Sequence, residues 1–230
     1  MPRLLHWVDE VVGDDEWVAL VFEAVSGSPP PLPWDRQDAV LVLRSLEELS
    51  ESLTPAPIPT PTLPDLMASM ADSWAKAEKD ASPVLAGWDQ ERLPELNDLA
   101  QLAGTRGGLM AGAALLHVDL RADNLVIDRS GSSPHVWFVD WSWACVGPRW
   151  VDAALLSLDF AAYGDHRPEG LLAEANVTLR PEALHALLAG LAGNWALALS
   201  EPAAPGMGGL REFQRRFFDA TVDWLQRCLA

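Results

Sequence analysis

Two short polar motifs in the middle of the chain flank a pair of apolar strands, and this arrangement constrains the fold more than any other feature. The first motif, residues 117–124, reads His-Val-Asp-Leu-Arg-Ala-Asp-Asn, and the second, residues 139–141, reads Val-Asp-Trp. Between them lie the apolar runs 125–127 and 136–139, separated by the polar turn 128–133. Such runs, joined by a polar turn, predict a β-hairpin whose two chain ends meet.

Three oxygen-bearing side chains would converge where the ends of this hairpin meet. Asp119 could accept a hydrogen bond from a hydroxyl and align it for in-line attack on a phosphoryl group. Asn124 and Asp140 could hold magnesium between phosphate oxygens. Arg121 could neutralise the charge of the transferring phosphoryl group, and His117 is expected to tie the loop backbone to the end of the metal-binding strand. The alternative is an Asx-rich turn that only caps the hairpin.

The formal net charge of −17 limits the partners of this protein. Nucleic acid is excluded as a partner because contacts to phosphate need clustered lysine and arginine. The same charge would attract a small polycation, although it would also serve solubility alone. With 230 residues, the chain can form one large domain or two small ones around a buried core.

Cysteine usage and the hydropathy pattern indicate a cytoplasmic protein. Cys145 and Cys228 are the two cysteines and lack metal-type spacing, so reduced thiols are expected. No apolar run reaches the roughly 18 residues of a membrane span. The N-terminus shows no basic-then-apolar signal region, so secretion is not indicated. We therefore expect no membrane partner.

The rest of the chain is predicted to form a front hairpin followed by helices. Residues 3–12 and 17–25 read as antiparallel strands around a Gly-Asp-Asp turn, and residues 26–33 read as a linker. The prolines of residues 54–64 predict an extended surface segment. Apolar spacing predicts helices over residues 42–53, 65–79, 90–112, 151–162, 181–199 and 210–228. In the third of these helices the predicted buried stripe is Leu93, Leu96, Leu99 and Leu102.

The pattern His-x-Asp-Leu-Arg-x-x-Asn, followed by a strand pair and Asp-Trp, resembles the catalytic and metal-binding loops of the protein-kinase-like superfamily. More narrowly, it resembles the aminoglycoside phosphotransferase family, although Val118 stands where that family usually has glycine. The resemblance implies an α+β, protein-kinase-like fold. Residues 1–27 would be a remnant of the N-terminal lobe, and residues 28–230 a mostly helical C-terminal lobe that carries the catalytic hairpin.

The resemblance also assigns residues to nucleotide binding. Phe22, Glu23 and Ala24 resemble the hinge between the lobes, where the carbonyl of Phe22 and the amide of Ala24 would bind the adenine edge. Val126 and Val139 would form the apolar floor under the adenine. The implied phosphate donor is ATP or another nucleoside triphosphate, bound with magnesium.

Asp152 resembles the buried acid that braces the catalytic loop in this family. It follows shortly after a Gly-Pro pair and precedes an apolar helical pattern. An acid near a helix N-terminus is also favourable by itself, so the pattern leaves both interpretations open.

The resemblance is expected to be incomplete on the N-terminal side. Kinases of this type carry about three further strands, a phosphate loop, a strand lysine and a helix glutamate before the hinge. Here the hinge is reached by residue 22, and the only lysines, Lys76 and Lys79, follow it. The chain could be a fragment or carry a misassigned start. It could be a naturally short form that retains nucleotide or substrate binding with little catalysis, or it could complete its small lobe with another chain or use metal alone.

The leading hypothesis is a kinase-like transfer of the γ-phosphate of ATP to a hydroxyl of a small, aminoglycoside-like cation. The same loops would serve choline, an amino alcohol or a sugar. One alternative is a truncated, non-catalytic binding or scaffold protein, and another is a metal-dependent hydrolase. An unpaired strand edge and exposed apolar surface on the front hairpin would also favour a homodimer.

Overall fold

The structure is a computed structural model that describes residues 2–80, 82–86, 90–202 and 206–230. Within these ranges it contains six strands and eight α-helices, which confirms the predicted α+β class. The strands are β1 (Leu4–Val12), β2 (Asp15–Phe22), β3 (Ala114–Leu116), β4 (Leu125–Asp128), β5 (His135–Phe138) and β6 (Cys145–Gly147). The helices are α1 (Arg36–Ser52), α2 (Leu63–Ala68), α3 (Ser73–Lys79), α4 (Leu93–Ala103), α5 (Val151–Gly164), α6 (Pro168–Glu174), α7 (Pro181–Ala198) and α8 (Leu210–Leu229).

The strands pair in three antiparallel ribbons, β1 with β2, β3 with β6, and β4 with β5. The β4–β5 ribbon is the hairpin predicted from the two apolar runs. The predicted strand 17–25 differs, because β2 begins at Asp15 and ends at Phe22. The turn is therefore shorter than predicted: Val12 pairs with Asp15, and only Gly13 and Asp14 lie between them.

Helix α7 lies at the centre of the helical part and packs against α3, α4 and α8. Its small residues let bulky side chains approach closely. A Cβ at Gly193 would lie 2.8 Å from the Trp74 indole, and a Cβ at Gly190 would lie 2.5 Å from the end of Met67. The Trp74 indole N–H donates to the carbonyl of Ala189 at 2.8 Å, so this buried aromatic residue satisfies its polar atom.

Several predicted helices differ from those observed. The segment 65–79 forms two helices, α2 and α3, rather than one. The segment 90–112 is helical only to Ala103, and Leu102 is exposed although it was predicted to be buried. Nine helical residues rotate a side chain by about half a turn, so a strict spacing of three carries Leu102 to the opposite side from Leu93. The observed buried set is Leu93, Leu96, Ala100 and Ala103.

The front hairpin β1–β2 exposes its apolar side chains on both faces. The exposed large residues are Leu4, Leu5, Trp7, Val11, Val12, Trp17, Val18, Leu20, Val21 and Phe22. Trp7 pairs with Leu20 and Asp9 pairs with Val18 across the ribbon, so each pair shares one face. The exposed apolar surface and the two-stranded edge predicted from the sequence are therefore both present.

The linker after the hairpin attaches to the catalytic ribbon at Ile127. The amide of Ser28 donates to the carbonyl of Ile127 at 3.3 Å, and the amide of Ile127 donates back at 2.9 Å. Gly27 has φ +117, and a Cβ there would lie 2.5 Å from the Ile127 carbonyl oxygen, so glycine is required. These contacts bring the end of the hinge segment alongside β4.

No helix in the described ranges combines the length and the apolar character needed to cross a bilayer.

Candidate active site

The loop that follows β3 is held by a buried carboxylate from the start of helix α5. Asp152 accepts the backbone N–H of His117 at 2.7 Å and that of Val118 at 2.9 Å, one on each of its oxygens. Its side chain is buried, and burial raises the pKa of its carboxyl, while the two backbone donors act in the opposite direction. Asp152 therefore fixes the backbone of this loop at His117 and Val118.

The His117 ring joins this loop to the end of strand β5. Its Nε2 lies 2.8 Å from the carbonyl oxygen of Val139, and its Nδ1 accepts the backbone N–H of Asp119 at 3.3 Å. These partners assign the neutral ring with its proton on Nε2, because only that tautomer donates to the carbonyl and accepts from the amide. The ring also packs against Trp141 at a centroid distance of 4.8 Å. This is the linkage expected for a structural histidine.

Val118, between these two contacts, has a strained backbone. Its φ is +57, in the left-handed region that is unusual for a β-branched residue. Its N–H must keep this orientation to reach Asp152. The glycine usual at this position in the resembling family fits that conformation without cost.

A second carboxylate of α5, which the sequence analysis did not identify, braces the same loop further along. Oδ2 of Asp159 accepts the backbone N–H of Ala122 at 3.1 Å and the indole N–H of Trp34 at 2.7 Å. Burial raises the pKa of this carboxyl to about 6, although the Trp34 hydrogen bond lowers it. Asp152 and Asp159 are seven residues apart, which places them on one side of the helix, and this spacing was the available sequence signal.

Asp119, Arg121 and Asn124 are brought into direct contact at the centre of the loop. Arg121 Nη1 donates to Asp119 Oδ1 at 2.6 Å, and the same guanidinium holds Asp123 through two bonds of 3.0 Å. Asn124 Nδ2 donates to the Asp119 carbonyl at 2.7 Å and to Asp119 Oδ2 at 3.3 Å. Burial raises the pKa of the Asp119 carboxyl, and the positive charge of Arg121 lowers it.

Asn124 and Asp140 stand at the two chain ends of the catalytic hairpin, which are joined by a backbone bond. The amide of Val139 donates to the carbonyl of Asn124 at 3.0 Å, so Asp140 follows immediately after this link. Asp140 is exposed, has φ +62, and accepts a hydrogen bond from the Ser142 hydroxyl.

The donor set at this end fits a magnesium ion. Because the Asn124 amide nitrogen is engaged by Asp119, the amide oxygen remains as the acceptor of that group. An amide oxygen and a carboxylate are hard ligands of the kind that magnesium prefers. No cluster of three or more histidine, cysteine, aspartate or glutamate side chains in the described ranges is arranged to hold a metal ion by itself.

The residues predicted to form the hinge lie at the end of β2 and are largely open. Phe22 and Ala24 are exposed, whereas the Glu23 carboxylate is occupied by the backbone N–H of Arg3 at 2.8 Å. Val126, on β4, is half-buried, as is Val139, which follows β5. The two hydrogen bonds between Ser28 and Ile127 join the segment that follows Ala24 to the strand that carries Val126.

Comparison with solved structures identifies two kinases of similar fold. An ethanolamine kinase of Plasmodium vivax matches with a TM-score of 0.54 at 11% identity, over 97% of this chain and 67% of that protein. The GDP complex of a mutant aminoglycoside 2′-phosphotransferase-IIIa matches with a TM-score of 0.57 at 16% identity, over 99% and 74% of the two chains. These matches confirm the protein-kinase-like fold.

Comparison of the sequence with known proteins identifies the family. None of the curated proteins matches the chain significantly. The model of the phosphotransferase enzyme family, APH, matches residues 1–183, a span that includes the hinge segment, both polar motifs and helix α5. The chain therefore belongs to this phosphotransferase family, as its catalytic loop indicated.

Proposed function

We propose that this protein transfers the γ-phosphate of ATP, or of another nucleoside triphosphate, to a hydroxyl of a small molecule. One observation carries the proposal. Asp119, Arg121 and Asn124 are in mutual hydrogen-bond contact on a loop whose backbone is fixed by two buried carboxylates, Asp152 and Asp159. Phosphoryl transfer depends mainly on positioning and charge, and this loop supplies both.

In the proposed reaction the oxygen of the acceptor hydroxyl attacks the γ-phosphorus in line. A new oxygen–phosphorus bond forms while the bond from the γ-phosphorus to the bridging oxygen breaks, and the nucleoside diphosphate leaves with that electron pair. Asp119 receives the proton of the attacking hydroxyl. Its pKa is raised by burial, which makes the carboxylate a better proton acceptor. Arg121 offers positive charge beside the transferring group.

We propose the remaining roles on the same basis. Asn124 and Asp140 would hold magnesium, which when bound neutralises charge on the phosphate oxygens. The backbone of Phe22 and Ala24, with Glu23 between them, would take the adenine edge above the apolar floor of Val126 and Val139. Residues 1–27 would then form the nucleotide-side remnant, and residues 28–230 the lobe that binds the acceptor. The net charge of −17 would attract cations to the outer surface of the protein in general.

The role of Asp119 is tested by replacing it with asparagine. Asp119→Asn keeps an oxygen that can accept the Arg121 bond but cannot take up a proton at neutral pH. General-base catalysis contributes roughly 100- to 10,000-fold, so we expect acceptor-dependent release of ADP to fall by at least about 100-fold. Asp128→Asn is the matched control, because Asp128 is outside the loop and the hydrogen bonds given for its carboxylate come from Ser130 alone. Full turnover by Asp119→Asn would refute the role.

Arg121 provides a second test through the pH profile. Because the Arg121 charge lowers the pKa of Asp119, Arg121→Gln should raise that pKa. The acid limb of the profile of kcat/KM against pH should therefore move to higher pH, in addition to any loss of rate. An unshifted limb would mean that this limb does not report Asp119.

A non-catalytic nucleotide-binding or scaffold protein is the competing proposal. It is favoured by the position of Lys76 and Lys79, which are the only lysines and lie exposed on α3 rather than on a strand. Thermal unfolding with magnesium and millimolar ATP separates the proposals, because a ligand that binds the folded state raises its stability. Stabilisation without turnover on any acceptor would favour the binding protein, and no stabilisation would favour a scaffold.

A further inference from the structure

A small cavity opens directly beside Asp119, between the catalytic loop and helices α5, α7 and α8. Its volume is about 110 Å³. Most of its wall is apolar and consists of Leu155, Leu158, Leu191, Trp195, Phe213 and Phe217. Because Asp119 would receive the proton of the attacking hydroxyl, whatever fills this cavity lies next to the reacting group of the acceptor.

The charged groups in the wall of the cavity already satisfy each other. They are Asp119 and Arg121, whose carboxylate and guanidinium are 2.6 Å apart. A polycationic acceptor would need further carboxylates to pair its ammonium groups, and the described lining supplies none beyond Asp119. Burying an unpaired ammonium group against leucine and aromatic side chains carries a large desolvation cost.

The aromatic part of the wall is also unsuited to a quaternary ammonium group. Trp195, Phe213 and Phe217 form a cluster with centroid distances of 4.7–5.9 Å. Such a cluster attracts cations, but the guanidinium carbon of Arg121 already lies 5.3 Å from the centre of the Phe213 ring. A second cation would therefore meet the repulsion of Arg121 within the cluster.

We propose that the acceptor is an uncharged alcohol with a compact apolar group next to its hydroxyl, and that this group fills the cavity. The proposal rests on the phosphotransferase function proposed above and names its substrate class. An engineered apolar cavity of roughly 150 Å³ is known to take up benzene, so the present cavity suits a branched alkyl group or most of one ring. The acidic surface of the protein concentrates cations outside, whereas the wall beside Asp119 selects a neutral group.

Direct binding tests the proposal without requiring turnover. Saturation-transfer NMR on the full 230-residue chain would compare 3-methylbutanol and 2-phenylethanol with choline and a deoxystreptamine aminoglycoside. We expect the two neutral alcohols to bind saturably and the two cations to show no binding that depends on the cavity. The same four compounds serve as acceptors in an assay of magnesium- and ATP-dependent phosphorylation.

Filling the cavity provides the decisive variant. Leu191 is half-buried in the cavity wall, and Leu191→Trp places a large ring in the space proposed for the acceptor. We expect the neutral alcohols to bind at least tenfold more weakly, with the ATP-induced shift of the melting temperature retained. Leu102→Trp is the control, because it adds the same ring at an exposed site on α4. If Leu191→Trp does not fold, Leu191→Ala tests the same wall and should shift preference towards larger alcohols.

The outcomes separate this inference from the proposed function. Phosphorylation of choline or the aminoglycoside in preference to the alcohols, unaffected by Leu191→Trp, would overturn the inference and leave the phosphotransferase function intact. Binding of the alcohols that Leu191→Trp removes, without phosphorylation of any compound, would support the acceptor site and count against catalysis. The inference would also be overturned if the alcohols do not bind, or if they bind Leu191→Trp as tightly as the control Leu102→Trp.

Discussion

Replacing Asp159 with asparagine removes one buried charge and keeps the contacts around it. Asp159 is 1% exposed, and its two described donors, Trp34 Nε1 and Ala122 N, both reach the same oxygen, Oδ2. The single carbonyl oxygen of an asparagine can accept both of these bonds. The variant Asp159→Asn therefore isolates the effect of the charge on the stability of the protein.

The size and sign of the effect follow from the pKa. Burial raises the pKa of Asp159 to about 6, compared with 3.8 for an unperturbed aspartate. The folded protein therefore keeps this proton over a range in which the unfolded chain has lost it. The contribution of the group to the free energy of unfolding falls as pH rises from about 4 to about 6, and is lost above that range. A difference of roughly two pKa units corresponds to about 3 kcal/mol.

Asp152, two helical turns earlier, also has a raised pKa, but its replacement carries an added cost. Its two oxygens accept two different donors, the backbone N–H groups of His117 and Val118. An asparagine has only one acceptor oxygen, so its amide group would face one of these donors and leave a buried N–H unsatisfied. Such a group costs about 1–3 kcal/mol, a cost that Asp159→Asn does not carry.

Urea unfolding at several pH values between 4.5 and 8 measures both effects. We expect the stability of Asp159→Asn relative to the wild type to rise by about 2 kcal/mol between pH 4.5 and about pH 7 and then to become constant, because part of the total change lies below pH 4.5. The relative stability of Asp152→Asn should be negative at the acid end of the range and should also rise with pH, because the pKa of Asp152 is raised as well. The reasoning is refuted if the difference between Asp159→Asn and the wild type does not change with pH, or if both variants are equally destabilised.

Two further predictions concern the strained loop and the front hairpin. Val118→Gly should be more stable than Val118→Ala by about 1 kcal/mol in urea unfolding. Both variants lose the valine methyl groups, but only glycine adopts the positive φ without strain. Equal stability of the two variants would contradict strain at this position. We also propose that the exposed hairpin associates with a second copy of the chain. The double variant Val18→Lys and Leu20→Lys should then abolish concentration-dependent association in sedimentation velocity. It should change the free energy of unfolding by less than about 0.5 kcal/mol, because both side chains are exposed. A monomeric wild type would refute association through this hairpin.

The catalytic hairpin could be predicted from the sequence because its signals are local. Apolar runs around a polar turn determine β4 and β5, and Asp140 follows β5 as a direct consequence of chain order. The pairing of strands then brings Asn124 and Asp140 to one end without any long-range information.

The contacts made by Asp159 could not be predicted in the same way. Its partners are Trp34, 125 residues earlier, and Ala122, 37 residues earlier, and no local pattern indicates either one. A buried aspartate within an apolar helix reads as an exception to the apolar pattern until its donors are known. The prediction of the buried leucine stripe in α4 failed for another reason. The spacing of the leucines is a local signal, but the side of the helix that is buried depends on its packing against α7.

Helix α5 connects the two properties that this site needs. Asp152 and Asp159 hold the backbone of the catalytic loop, and Leu155 and Leu158, between them, form part of the cavity wall beside Asp119. A single helix therefore sets both the position of Asp119, the proposed base, and the shape of the cavity proposed for the acceptor. Because packed helices move as rigid elements, a shift of α5 would displace the loop and the cavity wall together and would preserve the distance between them better than two separate loops could. In the proposed reaction, selectivity for the acceptor and placement of the base would thus be coupled through one structural element.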